Sequence, residues 1–190
     1  MTPALFTRTS KELLGERPLP TVVRDRPVVY ILGESGSGKS AVALRLAPPT
    51  APRYDADGQR NALTLAGRHR KWCALLAESP GLILDGVQGL HRSFGKVQLL
   101  GQLLRLRAAA GRRTILVMGT ADTSMTLLYP EVPCEQSATV LLRFPVGGGR
   151  RRFVAERCAA RGIRPDVAAG ARTLEPWTYA GVESFLDSLR

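Results

Sequence analysis

The stretch GESGSGKS, Gly33 to Ser40, matches the pattern G-x-x-x-x-G-K-[ST], with Gly33, Gly38, Lys39 and Ser40 at the fixed positions. Glycines at that spacing let successive backbone N–H groups turn inward, which makes a cradle for the oxygens of a phosphate chain. The lysine brings an ammonium to the outer phosphates, and the hydroxyl beside it can ligate magnesium. The candidate nucleotide contacts are therefore Gly33, Glu34, Ser35, Gly36, Ser37, Gly38, Lys39 and Ser40, with Ala41 opening the next element. ATP and magnesium are the expected ligands.

A second candidate stands at the end of GLILDG, where Asp85 can hold a water of the magnesium shell opposite Ser40. A turn or helix-cap aspartate is the competing reading of the same residue. Gly86 follows it, in the place where a hydrolytic site commonly carries a second acid to polarise the attacking water. Gln88 could orient a water only weakly, and Glu78 precedes the strand. Hydrolysis by the isolated chain is accordingly expected to be weak or absent.

These residues need a scaffold that brings strand ends together. PVVYIL (27–32), GLILDG (81–86), TILVMGT (114–120) and ATVLLRFP (138–145) are short, nearly continuous apolar runs, which predict buried strands. RYDADG (53–58) allows one more short strand. Helical patterns separate them: SAVALRLA ends at Pro48 and Pro49, and GKVQLLGQLLRLRAAAGRR places most of Val97, Leu100, Leu103, Leu104 and Leu106 on one face before Gly111. Alternating strands and helices predict an α/β fold with a parallel sheet covered by helices on both faces. Residues 146–190 turn helical and end in an amphipathic segment with Val182, Phe185, Leu186 and Leu189 on one side, a small C-terminal helical lid. Residues 1–26, polar and closed by Pro18 and Pro20, are read as an N-terminal arm that either packs on the domain or stays mobile, leaving 27–145 as the α/β domain.

The 190 residues suffice for one domain with a small appendage, and 44% of them are hydrophobic. Lys and Arg total 27 against 16 acids, a formal charge of +11, which suits an acidic partner: nucleic acid, nucleotide or an acidic protein. Cys73, Cys134 and Cys158 are widely spaced and odd in number, as expected of thiols in a reducing compartment. The N-terminus lacks a signal-type apolar core and no run reaches membrane-spanning length, so no membrane association and a cytoplasmic location are expected.

The order of LILDGVQGL, the long helix, TILVMGTADTS and ATVLLRFPVGGGRRRFVAERCAARGI resembles the AAA+ ATPases, most closely the bacterial replication-initiator branch and its regulatory relatives. Asp85, Gln88 and Leu90 stand as that branch's acidic motif does. The resemblance implies a P-loop NTPase fold, with Lys39 and Ser40 on phosphate and magnesium, Asp85 supporting the metal, and Thr120 as the residue that reads the γ-phosphate. A strand-end residue bonded to a turn is the other reading of Thr120. It also implies assembly with itself or with another AAA+ protein.

Two departures bear on this. LLYPEVPCEQSATV lacks the family's arginine that reaches a neighbouring subunit's nucleotide, and TYAGVESF offers Ala180 and Gly181 where the family carries a nucleotide-sensing arginine. Arg150, Arg151 and Arg152 could substitute, or could form a solvated or nucleic-acid-facing cluster. GRHRKW, with Arg68, His69, Arg70, Lys71 and Trp72, reads either as a helix face or as a phosphate-gripping patch. His69 and His91 have no companions at metal-ligand spacing.

The sequence therefore points to an ATP-binding AAA+-like module used as a nucleotide-dependent switch or adaptor, acting on DNA or on a protein. The alternative is a P-loop small-molecule or nucleotide kinase, with Asp55, Asp57 and Arg60 available to bind a hydroxyl or phosphate.

Overall fold

A computed structural model of the chain describes residues 4–8, 13–14, 21–56, 76–119 and 132–189. Among the described residues six strands form one sheet: β1 (Ala4–Arg8), β2 (Val28–Gly33), β3 (Arg53–Asp55), β4 (Gly81–Asp85), β5 (Arg113–Met118) and β6 (Ser137–Leu142). Their spatial order is β1-β6-β2-β5-β4-β3 and every pairing is parallel. The expected parallel α/β sheet is present, with the C-terminal ends of its strands on one edge.

The pleat of β2 shows why the apolar runs are continuous. Val28, Tyr30 and Leu32 face one layer, with Leu100, Leu103 and Leu104 of α3 (Phe94–Ala109). Val29 and Ile31 face the other, with Val42, Ala43 and Leu46 of α2 (Lys39–Leu46). A strand buried on both faces has no room for alternating polar residues.

The described parts of the N-terminal arm pack on this sheet. β1 extends the sheet beyond β6, with Leu5 opposite Thr139, and Leu13 and Val23, the latter from the short α1 (Thr21–Arg24), are fully buried in the α2 layer.

The long helix turns most of the expected residues inward, with Leu100, Leu103 and Leu104 buried and Val97 packed against them. Leu106 is exposed, whereas Arg107 is fully buried. Its guanidinium donates to the carbonyls of Leu76, at 2.6 Å, Ser79 and Arg113, both at 2.7 Å, and to Thr114 Oγ1 at 2.7 Å. With a longer bond to the Ala77 carbonyl at 3.4 Å, four carbonyls and a hydroxyl replace its water shell, so the charge is tolerated inside. Burial lowers its pKa to about 10, helped by the neighbouring charge of Arg112.

After β6 the chain forms α4 (Gly148–Arg161), a short 3-10 turn (Ala169–Arg172) and α5 (Tyr179–Asp187). They share a core of their own, in which Phe153, Val154, Cys158, Trp177, Val182 and Leu186 are buried. Phe153, Trp177 and Tyr179 pack edge to face, with centroids 4.8–5.9 Å apart. Arg161 ties the two helices by ion pairs to Glu183 and Asp187. Among the described residues, no helix is long and apolar enough to cross a membrane.

Candidate nucleotide-binding site

The glycine loop leaves the end of the central strand β2 and enters α2. The loop closes so tightly that a Cβ on Gly33 would lie 2.7 Å from the Leu142 carbonyl oxygen and from Ser37 Oγ. Gly38 takes the left-handed conformation, φ 86°, as the residue preceding α2. No side chain caps that helix, and Val42 N–H donates to the Gly38 carbonyl at 3.1 Å. The N–H groups of Lys39, Ser40 and Ala41 thus stand at a helix start with its positive dipole end, an arrangement suited to anionic oxygens.

Lys39 Nζ donates to the Glu34 carbonyl at 2.6 Å, closing the loop on itself. Burial pushes its pKa down, opposed by the nearby carboxylates of Asp85 and Glu34. Glu34, Ser35 and Gly36 are exposed on the rim, whereas Ser37 is buried and its hydroxyl has no hydrogen-bond partner among the described residues.

Asp85, at the end of β4, faces the loop. Its Oδ1 accepts from Gly86 N–H at 2.9 Å, and its Oδ2 accepts from Arg53 Nη2. The same nitrogen donates to Ser40 Oγ at 3.0 Å. Ser40 and Asp85 therefore converge on one nitrogen of a cationic guanidinium. That convergence fits the donor set a magnesium ion needs here. Among the described residues no group of three or more His, Cys, Asp or Glu could hold a metal, so an ion would rely on these two residues, the nucleotide's own oxygens and water. Sequence reasoning passed over Arg53, because nothing in its local pattern signals that β3 lies beside β4, with Asp55 opposite Asp85.

The remaining candidates divide clearly. Gln88 lies in the 3-10 segment Val87–Arg92, and its Oε1 accepts from Gly119 N–H at 2.8 Å, tying the ends of β4 and β5. Leu90 is buried in the core. Thr120, Asp57, Arg60, Cys73 and the GRHRKW stretch lie outside the described residues. Glu78 is exposed and precedes β4, at the opposite edge of the sheet from the loop. Arg150 is committed to the lid: its Nε donates to the Pro145 carbonyl at 3.0 Å and its guanidinium lies 5.2 Å from the Trp177 ring centroid. Arg151 and Arg152 are exposed.

Between loop and lid lies a cavity of about 460 Å3, lined by Gly38 and Ala41 on one side and by Phe153, Arg157, Tyr179 and Ala180 on the other. Leu14 closes it from the N-terminal segment. Ala180, at the position where the resemblance implies an arginine, thus reaches the cavity without a charge. Arg157 supplies one from α4 instead, paired with Glu183 at 2.5 Å. A smaller cavity of about 350 Å3 is lined by Arg53, Asp55, Asp85 and Gly86.

A parallel sheet whose central strand runs through a glycine loop into a helix, followed by a helical lid, defines a P-loop NTPase fold. Solved structures refine that assignment. The chain is similar to a DNA replication initiation factor, at 13% identity over 86% of this chain and 55% of that one, with a TM-score of 0.58. It is similar to the replication initiator DnaA bound to AMPPCP and single-stranded DNA, at 16% identity over 72% and 46% of the two chains, TM-score 0.54. Domain III of the Thermotoga maritima replication initiation protein DnaA matches at 13% identity over 73% and 64%, TM-score 0.53. These likenesses show a shared fold, and the chain spans about half the length of the first two structures. No protein-family model and no curated protein sequence matches it.

Proposed function

We propose that the chain binds ATP in the loop Gly33–Ala41 and acts as a nucleotide-dependent switch or adaptor with weak or absent hydrolysis of its own. One observation carries this reading: the cavity that joins Gly38 and Ala41 to Tyr179 and Ala180. A ligand held by the loop there touches the lid as well, so occupancy biases where residues 146–190 sit. Lys39 and the first N–H groups of α2 hold the phosphates. Ser40 and Asp85 hold magnesium when it is bound, and the ion would offset phosphate charge. Gly86, with φ 73°, supports slow turnover, because it brings no carboxylate to an attacking water.

The partner in this reading is DNA or a protein. A similar initiator was solved with single-stranded DNA, and the formal charge of +11 suits an acidic surface. Arg151 and Arg152, exposed at the start of α4, are the candidate contacts from the lid. Assembly with itself or with another AAA+ protein would be the route to an arginine acting in trans.

The test is ATP binding and phosphate release by the purified chain with magnesium, with and without DNA. Binding with negligible release supports the switch. Rapid release indifferent to DNA would favour the second reading, a small-molecule or nucleotide kinase, whose supporting observation is the cavity at Arg53, Asp55 and Asp85.

A further inference from the structure

We propose that Arg53 is the site's own cation: its guanidinium holds the position between Ser40 and Asp85, so the loop takes a metal-free nucleoside triphosphate nearly as well as the magnesium complex. The inference rests on the nucleotide-binding reading above and deepens it by naming the form of the ligand.

The geometry is specific. One nitrogen, Nη2, bonds both oxygens that a divalent ion would need, at 3.0 Å to Ser40 Oγ and in direct contact with Asp85 Oδ2. The charge of Asp85 is thereby met without a metal. A divalent ion entering the same point would face the guanidinium at contact distance, so one of the two must leave.

Three physical factors favour the arginine. It is attached to an edge strand whose register is fixed, with Arg53 opposite Ile83 and Asp55 opposite Asp85, so it is never diluted away. Magnesium must shed part of its tightly held water before Ser40 and Asp85 can both reach it, whereas the guanidinium already bonds both. A guanidinium carries five N–H donors in a fork that matches phosphate oxygens, and the two bonds here engage Nη2 alone. The others can turn to a phosphate group arriving at Lys39. The Arg53 side chain is 44% exposed, which leaves it room to make that turn.

The experiment is calorimetric titration of the purified full chain and of Arg53→Gln with ATP, once in excess magnesium and once in EDTA. The wild-type chain is expected to bind with dissociation constants within about threefold of each other, whereas Arg53→Gln loses about tenfold or more in EDTA. Because Arg53 lies on an exposed edge, the variant is expected to keep its circular dichroism and its melting temperature. Wild-type binding that collapses in EDTA overturns the inference and leaves the nucleotide reading standing. An Arg53→Gln chain as indifferent to metal as the wild type also overturns it. Failure to bind ATP in either buffer overturns the nucleotide reading and this inference together.

Discussion

Gly36 and Thr178 meet where the phosphate loop touches the lid: a Cβ placed on Gly36 would stand 2.8 Å from the Thr178 Cβ. Gly36 also has φ 76°, a conformation L side chains rarely adopt. Gly36→Ala therefore has to move the loop, the lid or both. Weaker ATP binding is expected, with a stability loss of about 1 kcal/mol from the backbone conformation. Titration calorimetry and urea unfolding check the two halves separately, and unchanged affinity would show that the loop and lid are not coupled here.

Thr178 has a second task, because its Oγ1 accepts from Gly181 N–H at 2.9 Å and caps α5. Thr178→Ala should destabilise that helix by about 1 kcal/mol, whereas Thr178→Ser keeps the acceptor and should not. Hydrogen exchange over residues 179–187 reads the difference directly. Equal protection in the two variants would remove the cap from the account of the lid.

Lys39→Ala removes an ammonium whose hydrogen bond among the described residues is to the Glu34 carbonyl. The fold should persist while ATP affinity falls by at least about tenfold, the scale of one lost charge-assisted bond. Retained affinity in the folded variant would mean that the loop is not the nucleotide site.

Gly86→Glu tests whether the missing second acid alone limits turnover. The residue sits at φ 73° and ψ 23°. Glutamate there forces the backbone out of the left-handed region, at a cost of about 1 to 2 kcal/mol. Phosphate release should stay at the wild-type level while the urea midpoint falls. A clear rise in release would show that the turn adapts and that a water-polarising carboxylate was all that was lacking.

Arg107→Leu leaves the carbonyls of Leu76, Ser79 and Arg113 without their buried donor. A loss of about 3 kcal/mol or more is expected in urea unfolding, since each unsatisfied buried group costs about 1 to 3 kcal/mol. Arg107→Lys, lacking the planar fork, should recover only part of it.

The layout of the fold was legible where burial on both faces leaves one kind of residue available. PVVYIL, GLILD, TILVM and ATVLL read as strands for that reason, and each is one. The glycine loop was legible because phosphate cradling demands its residue types in order. What sequence could not show were relationships made by topology. ALFTR is too short to signal a strand without the neighbouring β6, and Arg53 acquires its meaning only when β3 pairs with β4. Helical spacing alone likewise could not tell that Leu106 faces water while Arg107 turns inward. Of the proposed site residues, Lys39, Ser40 and Asp85 are brought to one edge of the sheet, whereas Thr120 lies outside the described residues.

The edge position of β1 has a consequence for how the molecule comes into being. Ala4 pairs with Ala138, and nothing nearer in the chain flanks that strand in the sheet. On a ribosome β1 emerges before the other five described strands but finds its partner only when β6 has been made, a closure over nearly the whole sheet-forming chain. The nucleotide loop and its central strand can pair with β5 before that last docking occurs. Sealing of β1 against β6 is then a late folding event, and substitutions in ALFTR should accelerate unfolding more than they slow folding.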